Sequence, residues 1–228
     1  MPRPYLSLFT LCIFLISCSP LKRYPKESYA WAIPEIEAFK EENNSPVSGK
    51  SLLFLGSSSI RLWETLKEDM APYPVIQRGY GGAHLRDAIF FSEALFGNCN
   101  PRAIIGFIAN DIKGVAEDER PQRIKRLFKF FVQQAKARHP DVPFLWIEIT
   151  PTQSRWAQWK DIQCVNNKIK AYCDKTENLY FVETAAAFLN VQGKPKTELF
   201  VEDQLHLNAQ GYAVWSKIIK DEIEKRLR

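Results

Sequence analysis

The sequence is short of the side chains that bind metals. Its three histidines, His84, His139 and His206, lie far apart with no HxxxH spacing, and the cysteines beyond Cys18 (Cys99, Cys164 and Cys173) contain no CxxC pair. A zinc site is not expected, and the chemistry below calls for no metal or organic cofactor. These three cysteines allow one disulfide in an oxidising compartment without indicating which pair would form it. No Gly-x-x-x-x-Gly-Lys-Ser/Thr loop and no Gly-x-Ser-x-Gly elbow is present. "GYGGAH" starts like a dinucleotide fingerprint, but His84 stands where the third glycine belongs, and the stretch follows the second strand rather than the first. A large excess of one charge is missing too: 31 Lys and Arg face 26 Asp and Glu, a net charge of +5. The densest basic stretch, "RPQRIKRLFKFFVQQAKAR", has Ile124, Leu127, Phe128, Phe131, Val132 and Ala135 at helical spacing. Arg123, Arg126, Lys129 and Lys136 are then the solvated side of one amphipathic helix, and no nucleic-acid partner is expected.

The N-terminus carries Arg3, an apolar run from Leu6 to Ile16 and a small-residue junction. The run is too short to span a membrane and reads as a secretory signal. Leu15-Ile16-Ser17-Cys18 resembles the bacterial lipobox, which implies a signal over 1–17 and lipid attachment at Cys18. Ser19 stands where an Asp would direct retention in the inner membrane. The resemblance therefore implies an outer-membrane lipoprotein facing the periplasm, with a soluble secreted or periplasmic protein as the alternative. Residues 18–45 are expected to form an exposed linker (Leu21 to Ala30) and a short helix near Pro34 to Glu42, ahead of one domain over 46–228.

From there apolar runs suited to buried strands alternate with helical stretches. Strands are expected at Leu52–Leu55, Val75–Gln77, Ala103–Ala109, Phe144–Ile149 and Leu179–Val182. Helices are expected near Ile60–Met70, Leu85–Leu95, Pro121–Arg138, Gln158–Asp174 and Ala209–Leu227. This alternation predicts a three-layer α/β/α sandwich around a five-stranded parallel sheet, with function at the carboxyl ends of the strands. The loops that fall on that edge are Gly56-Ser57-Ser58-Ser59, Arg78-Gly79-Tyr80-Gly81-Gly82, Asn110-Asp111 and "TPTQSRWAQW".

Those loops hold the parts of an acyl-transfer site. One serine of "GSSS" either caps a helix or attacks a carbonyl. His206 in "EDQLHLN" has Asp203 three residues earlier, close enough for the carboxylate to orient the imidazole as a base. Asn208 is suited to cap the last helix and pin that loop. The glycines of "RGYGGAH" let a backbone N–H approach a substrate, and Asn110 offers a side-chain amide. Trp63 reads as a core anchor. Trp156 and Trp159 read equally as substrate contacts or packing, and Arg155 either grips a substrate anion or lies exposed.

Together these residues resemble the SGNH hydrolases, the GDSL lipase/esterase family. "FLGSSS" is similar to its Gly-Asp-Ser block, "VIQRGYGG" to its second block, "IAND" to Gly-x-Asn-Asp, and "DQLHLN" to Asp-x-x-His. The resemblance implies a flavodoxin-like SGNH hydrolase fold with Ser58 as nucleophile and Asp203 and His206 completing a triad. It also implies an oxyanion hole of Ser58 N–H, Gly82 N–H and the Asn110 side chain. The implied activity is that of a serine esterase acting on lysophospholipid-like, short-acyl or acetylated-glycan esters. A protein that binds acylated glycans or transfers acyl groups is the alternative. Three positions depart from the family pattern. Ser57 replaces the block's Asp; Gln77 replaces an Asn and is expected to support its loop less well; Ile108 replaces a Gly and is expected either to narrow the pocket or to tilt the loop, with a lean toward small acyl groups.

Overall fold

The computed structural model describes residues 20–43 and 50–227. The expected leader and Cys18 lie outside the described residues. Five short apolar runs form one parallel sheet: β1 (Leu52–Gly56), β2 (Val75–Gly79), β3 (Ala103–Phe107), β4 (Phe144–Ile147) and β5 (Leu179–Val182). The strands lie in the order β2-β1-β3-β4-β5. The chain steps from β1 out to β2, then returns to the other side of β1 for β3, so β1 and β3 flank the point where the winding reverses. Loops at such a point diverge and leave a crevice at the carboxyl ends of the strands.

Every residue of β1, β3 and β4 is buried, as expected of strands covered on both faces. Alternation sends Leu53, Leu55 and Ile104 toward one helical layer and Leu52, Phe54, Ala103, Ile105 and Phe107 toward the other. The first layer holds α1 (Ile33–Glu42), α4 (Leu85–Phe90), α5 (Ser92–Phe96), α6 (Pro121–Arg138) and α7 (Trp159–Cys173). The second holds α2 (Ser58–Arg61), α3 (Leu66–Asp69) and α8 (Ala209–Arg226). This is the expected three-layer sandwich. In α6, Pro121 opens the first turn and Lys136 and Arg138 close the last, both favourable placements. None of the described helices is long and apolar enough to cross a membrane.

Three features differ from the sequence expectation. The helix expected over Ile60–Met70 divides into α2 and α3, because Trp63 Nε1 and Thr65 Oγ1 both donate to Asp69 Oδ2 (2.6 and 2.7 Å) and hold a turn between them. The helix over Leu85–Leu95 breaks at Phe91. That break lets Phe90 stack on Tyr29 at 4.1 Å while Phe91 meets the same ring edge-on. Finally, the stretch expected as an exposed linker is docked: Tyr29 is 2% exposed, Tyr24 donates to Glu119, and Arg123 donates to the Pro20 carbonyl. Ile36 and Phe39 of α1 then join the same core as the sheet. Cys99, Cys164 and Cys173 are free thiols.

Candidate active site

The pocket is built from the loops that leave β1, β3 and β4 and from the loop that enters α8. The loop after β2, with Gly82, meets Asn110 through Ala83 and is not in the pocket lining. After β1, Ser57 N–H donates to Phe107 O (3.0 Å) and its extended backbone starts α2, so Ser58 is the first helical residue. Among the described residues the Ser58 N–H has no acceptor. α2 lies directly on β2 because residue 79 is glycine; a Cβ there would stand 2.3 Å from Arg61 N. Two side chains fasten α2. Gln77 Nε2 donates to Ile60 O (2.7 Å) and Trp63 O (3.1 Å), and Tyr212 Oη donates to Ser59 O (2.9 Å). Gln77 therefore supports the serine-bearing segment rather than its own loop.

The loop before α8 folds around Asp203. Its Oδ1 accepts the backbone N–H groups of Leu205 and His206 (2.8 and 2.9 Å), and its Oδ2 lies 2.6 Å from His206 Nδ1. A carboxylate only accepts, so the proton sits on Nδ1 and Nε2 is left as an acceptor. Nε2 lies 2.8 Å from Ser58 Oγ. Partial burial works to raise the Asp203 carboxyl, but the His206 N–H, the imidazole and the Leu205 N–H outweigh it and hold the group below the ordinary carboxylate value. Asn208 caps α8 as expected, accepting the Gly211 N–H at 3.0 Å.

Gly82 adopts φ +72°, a conformation in which side chains are strained, and its N–H has no acceptor among the described residues. Its neighbour Gly81 donates to Glu35 of α1 (3.1 Å), while Trp31, 48% exposed, flanks Gly82. Asn110, at the end of β3, is buried and donates through Nδ2 to Ala83 O (3.0 Å), one residue beyond Gly82. Its Oδ1 accepts from Arg155 Nη2 (2.7 Å), and Arg155 Nη1 donates to Ala109 O (2.6 Å). Next to Asn110, burial pushes the Asp111 carboxyl up to about 6; its Oδ2 accepts the Leu85 N–H.

Ser58, Asn110, Arg155 and His206 line one pocket with Thr150 and Thr152, over an apolar floor that includes Phe107 and Trp215. Two expectations about substrate contacts and one about exposure need correcting. Ile108 is 3% exposed and packs into the layer of α4 and α6. Its position in the alternation sends it away from the pocket, which Phe107 and Ala109 line instead. Trp156 stacks on Trp159 (5.9 Å, 16°) beneath the Lys194 amine and does not line the pocket. Arg155 is 9% exposed and turned inward, not a surface residue. Thr150 and Thr152 carried a signal in "TPTQSRW" at the active edge, but Trp215, on the apolar stripe of α8, carried none.

The model of the GDSL-like lipase/acylhydrolase family matches residues 55–214, a span that contains Ser58, Gly82, Asn110, Asp203 and His206. No curated protein matches the sequence. Among solved structures, a protein from Streptococcus pneumonia described as a platelet activating factor superposes with a TM-score of 0.73 at 20% identity, covering 85% of this chain and 94% of that one. A GDSL-like lipase from Bacteroides thetaiotaomicron gives 0.70 at 18% identity over 84% and 98%. A catalytic mutant of an acetylxylan esterase from Geobacillus stearothermophilus gives 0.63 at 17% identity over 77% and 94%. The chain belongs to the GDSL-like lipase/acylhydrolase family and is an ester hydrolase.

Proposed function

We propose that the protein is a serine acylhydrolase working through Ser58, His206 and Asp203. The relay from Ser58 Oγ to His206 Nε2 (2.8 Å) and from His206 Nδ1 to Asp203 Oδ2 (2.6 Å) carries this reading. His206 Nε2 takes the hydroxyl proton as Ser58 Oγ bonds to the ester carbonyl carbon. The oxyanion is held by Ser58 N–H, Gly82 N–H and Asn110 Nδ2–H, and the alcohol leaves with the proton from His206. Water, deprotonated by the same nitrogen, then releases the acid and frees Ser58. Asp203 keeps the imidazole in the required tautomer and stabilises it while it is charged.

Short-acyl esters, of the kind carried by acetylated glycans or by lipids, are the proposed substrates. The pocket beside Ser58 is floored by the Phe107 and Trp215 rings, which meet edge to face at 4.7 Å and leave little depth for a long chain. The structural likeness to an acetylxylan esterase fits this reading. The resemblance of Leu15-Ile16-Ser17-Cys18 to a lipobox supports attachment to the periplasmic face of the outer membrane, where such esters would be within reach.

Wild type and Ser58→Ala are to be compared on p-nitrophenyl acetate, butyrate and octanoate, on acetylated xylan and on a lysophospholipid. Acetate turnover above octanoate turnover, lost by roughly 10³-fold or more in Ser58→Ala, is the expected result. A Ser58→Ala protein as active as wild type would dismiss Ser58 as the nucleophile. Labelling of Cys18 by fed palmitate, absent in Cys18→Ser, tests the anchor.

A further inference from the structure

Asn110 can serve an oxyanion only one way round. Its amide has a donor end and an acceptor end of nearly the same shape, so packing alone does not choose between them. Two neighbours do choose. The guanidinium of Arg155 has only donors, and it faces Oδ1 at 2.7 Å; the Ala83 carbonyl only accepts, and it faces Nδ2 at 3.0 Å. Turning the amide over would set N–H against N–H on one side and oxygen against oxygen on the other. With Oδ1 held by Arg155, one Nδ2 hydrogen goes to Ala83 and the second is left for the pocket.

Arg155 itself is unusual for a buried cation. Among the described residues it makes no ion pair with a carboxylate, since Asp111 and Asp118 act on it only from a distance, and the two bonds of its guanidinium go to the neutral oxygens of Ala109 and Asn110. Burying a guanidinium costs free energy that a carboxylate partner normally offsets. Here its bond goes to an amide oxygen, where a cation draws electron density out of the amide and makes the far N–H a stronger donor.

We infer that Arg155 is a positioning residue that fixes the Asn110 amide with its N–H toward the pocket and strengthens that N–H as a donor. This rests on the reading of Asn110 as an oxyanion donor. Arg155 acts through Asn110, so its removal matters only while Asn110 is present.

The test is a four-protein cycle of wild type, Arg155→Met, Asn110→Ala and the double variant, assayed for kcat and KM on p-nitrophenyl acetate. Arg155→Met is expected to lower kcat about 10- to 100-fold with KM within about twofold, and to change kcat less than about twofold once Asn110 is alanine. An equal loss in both backgrounds would overturn the inference, as would a rise in KM alone, which would make Arg155 a substrate contact. An Asn110→Ala protein with unchanged kcat would remove the oxyanion reading itself, and that result is read from the single variant. If Arg155→Met does not fold, Arg155→Lys takes its place in the same cycle with the same criterion. Guanidinium ion added to Arg155→Ala is expected to restore part of kcat only while Asn110 is present.

Discussion

Ser58 and His206 stand 148 positions apart in the chain and 2.8 Å apart in space. The contact depends on α8 being held against α2. Trp63 stacks on Tyr212 at 5.2 Å and lies 5.9 Å from Trp215, so three aromatic rings join the segment after Ser58 to the helix after His206. The Tyr212 hydroxyl then reaches the Ser59 carbonyl. Ser58 and His206 are aligned by packing behind them as much as by their own hydrogen bond.

Tyr212→Phe keeps the ring and removes that hydroxyl. Stability should fall by about 1 kcal/mol, and kcat should fall while KM holds. Urea denaturation beside steady-state kinetics checks both parts.

In the proposed mechanism Asn110→Ala removes one donor to the developing charge, so it should lower kcat by about 10²- to 10³-fold and leave the fold intact. Circular dichroism run on the same samples separates this from unfolding.

Asp111 makes stability depend on pH. Its folded value of about 6 lies above its unfolded value, so between the two the native state holds a proton that the unfolded chain has released. Its contribution is fully present below the unfolded value and is lost as pH rises through about 6. The loss is roughly 3 kcal/mol at most. Asp111→Asn should flatten this part of the profile. Melting temperatures at pH 4.5 and pH 8 should therefore lie closer together in the variant than in wild type.

The two loop glycines should respond differently to alanine. At Gly79 the new Cβ meets the backbone of α2, with Arg61 N at 2.3 Å, so α2 must shift and Ser58 with it. A loss of about 1–3 kcal/mol and a large fall in kcat are expected. At Gly82 the nearest atoms outside its own neighbours are those of Trp31, at 3.6 Å, so the cost is backbone strain of about 1 kcal/mol. Chemical denaturation and acetate-ester kinetics on both variants give the comparison.

Much of this arrangement was legible in the sequence because buried parallel strands are nearly continuous apolar runs. The polar residues that interrupt them fall on one edge. "LLFLG" followed by serines, "AIIGF" leading to Asn110, and Asp203 with His206 ahead of a capped helix all read correctly from local pattern. What was not legible depends on partners distant in the chain. The break at Phe91 serves Tyr29, more than sixty positions earlier. An arginine between a serine and a tryptophan in a polar loop looks exposed, and only the fold brings Asn110 to it from 45 positions away. Gln77 appeared to be a poor substitute for asparagine, yet the carbonyls its longer side chain satisfies belong to another element.

One backbone bond has wider consequences. Ser154 N–H donates to Gln204 O at 3.1 Å, joining the chain just before Arg155 to the chain between Asp203 and His206. The segment that carries His206 and the segment that carries Arg155 are thus tied to each other at one point. A substitution that displaces either loop therefore loads the other, and the two strands of chain that meet over the pocket keep their spacing only as a pair.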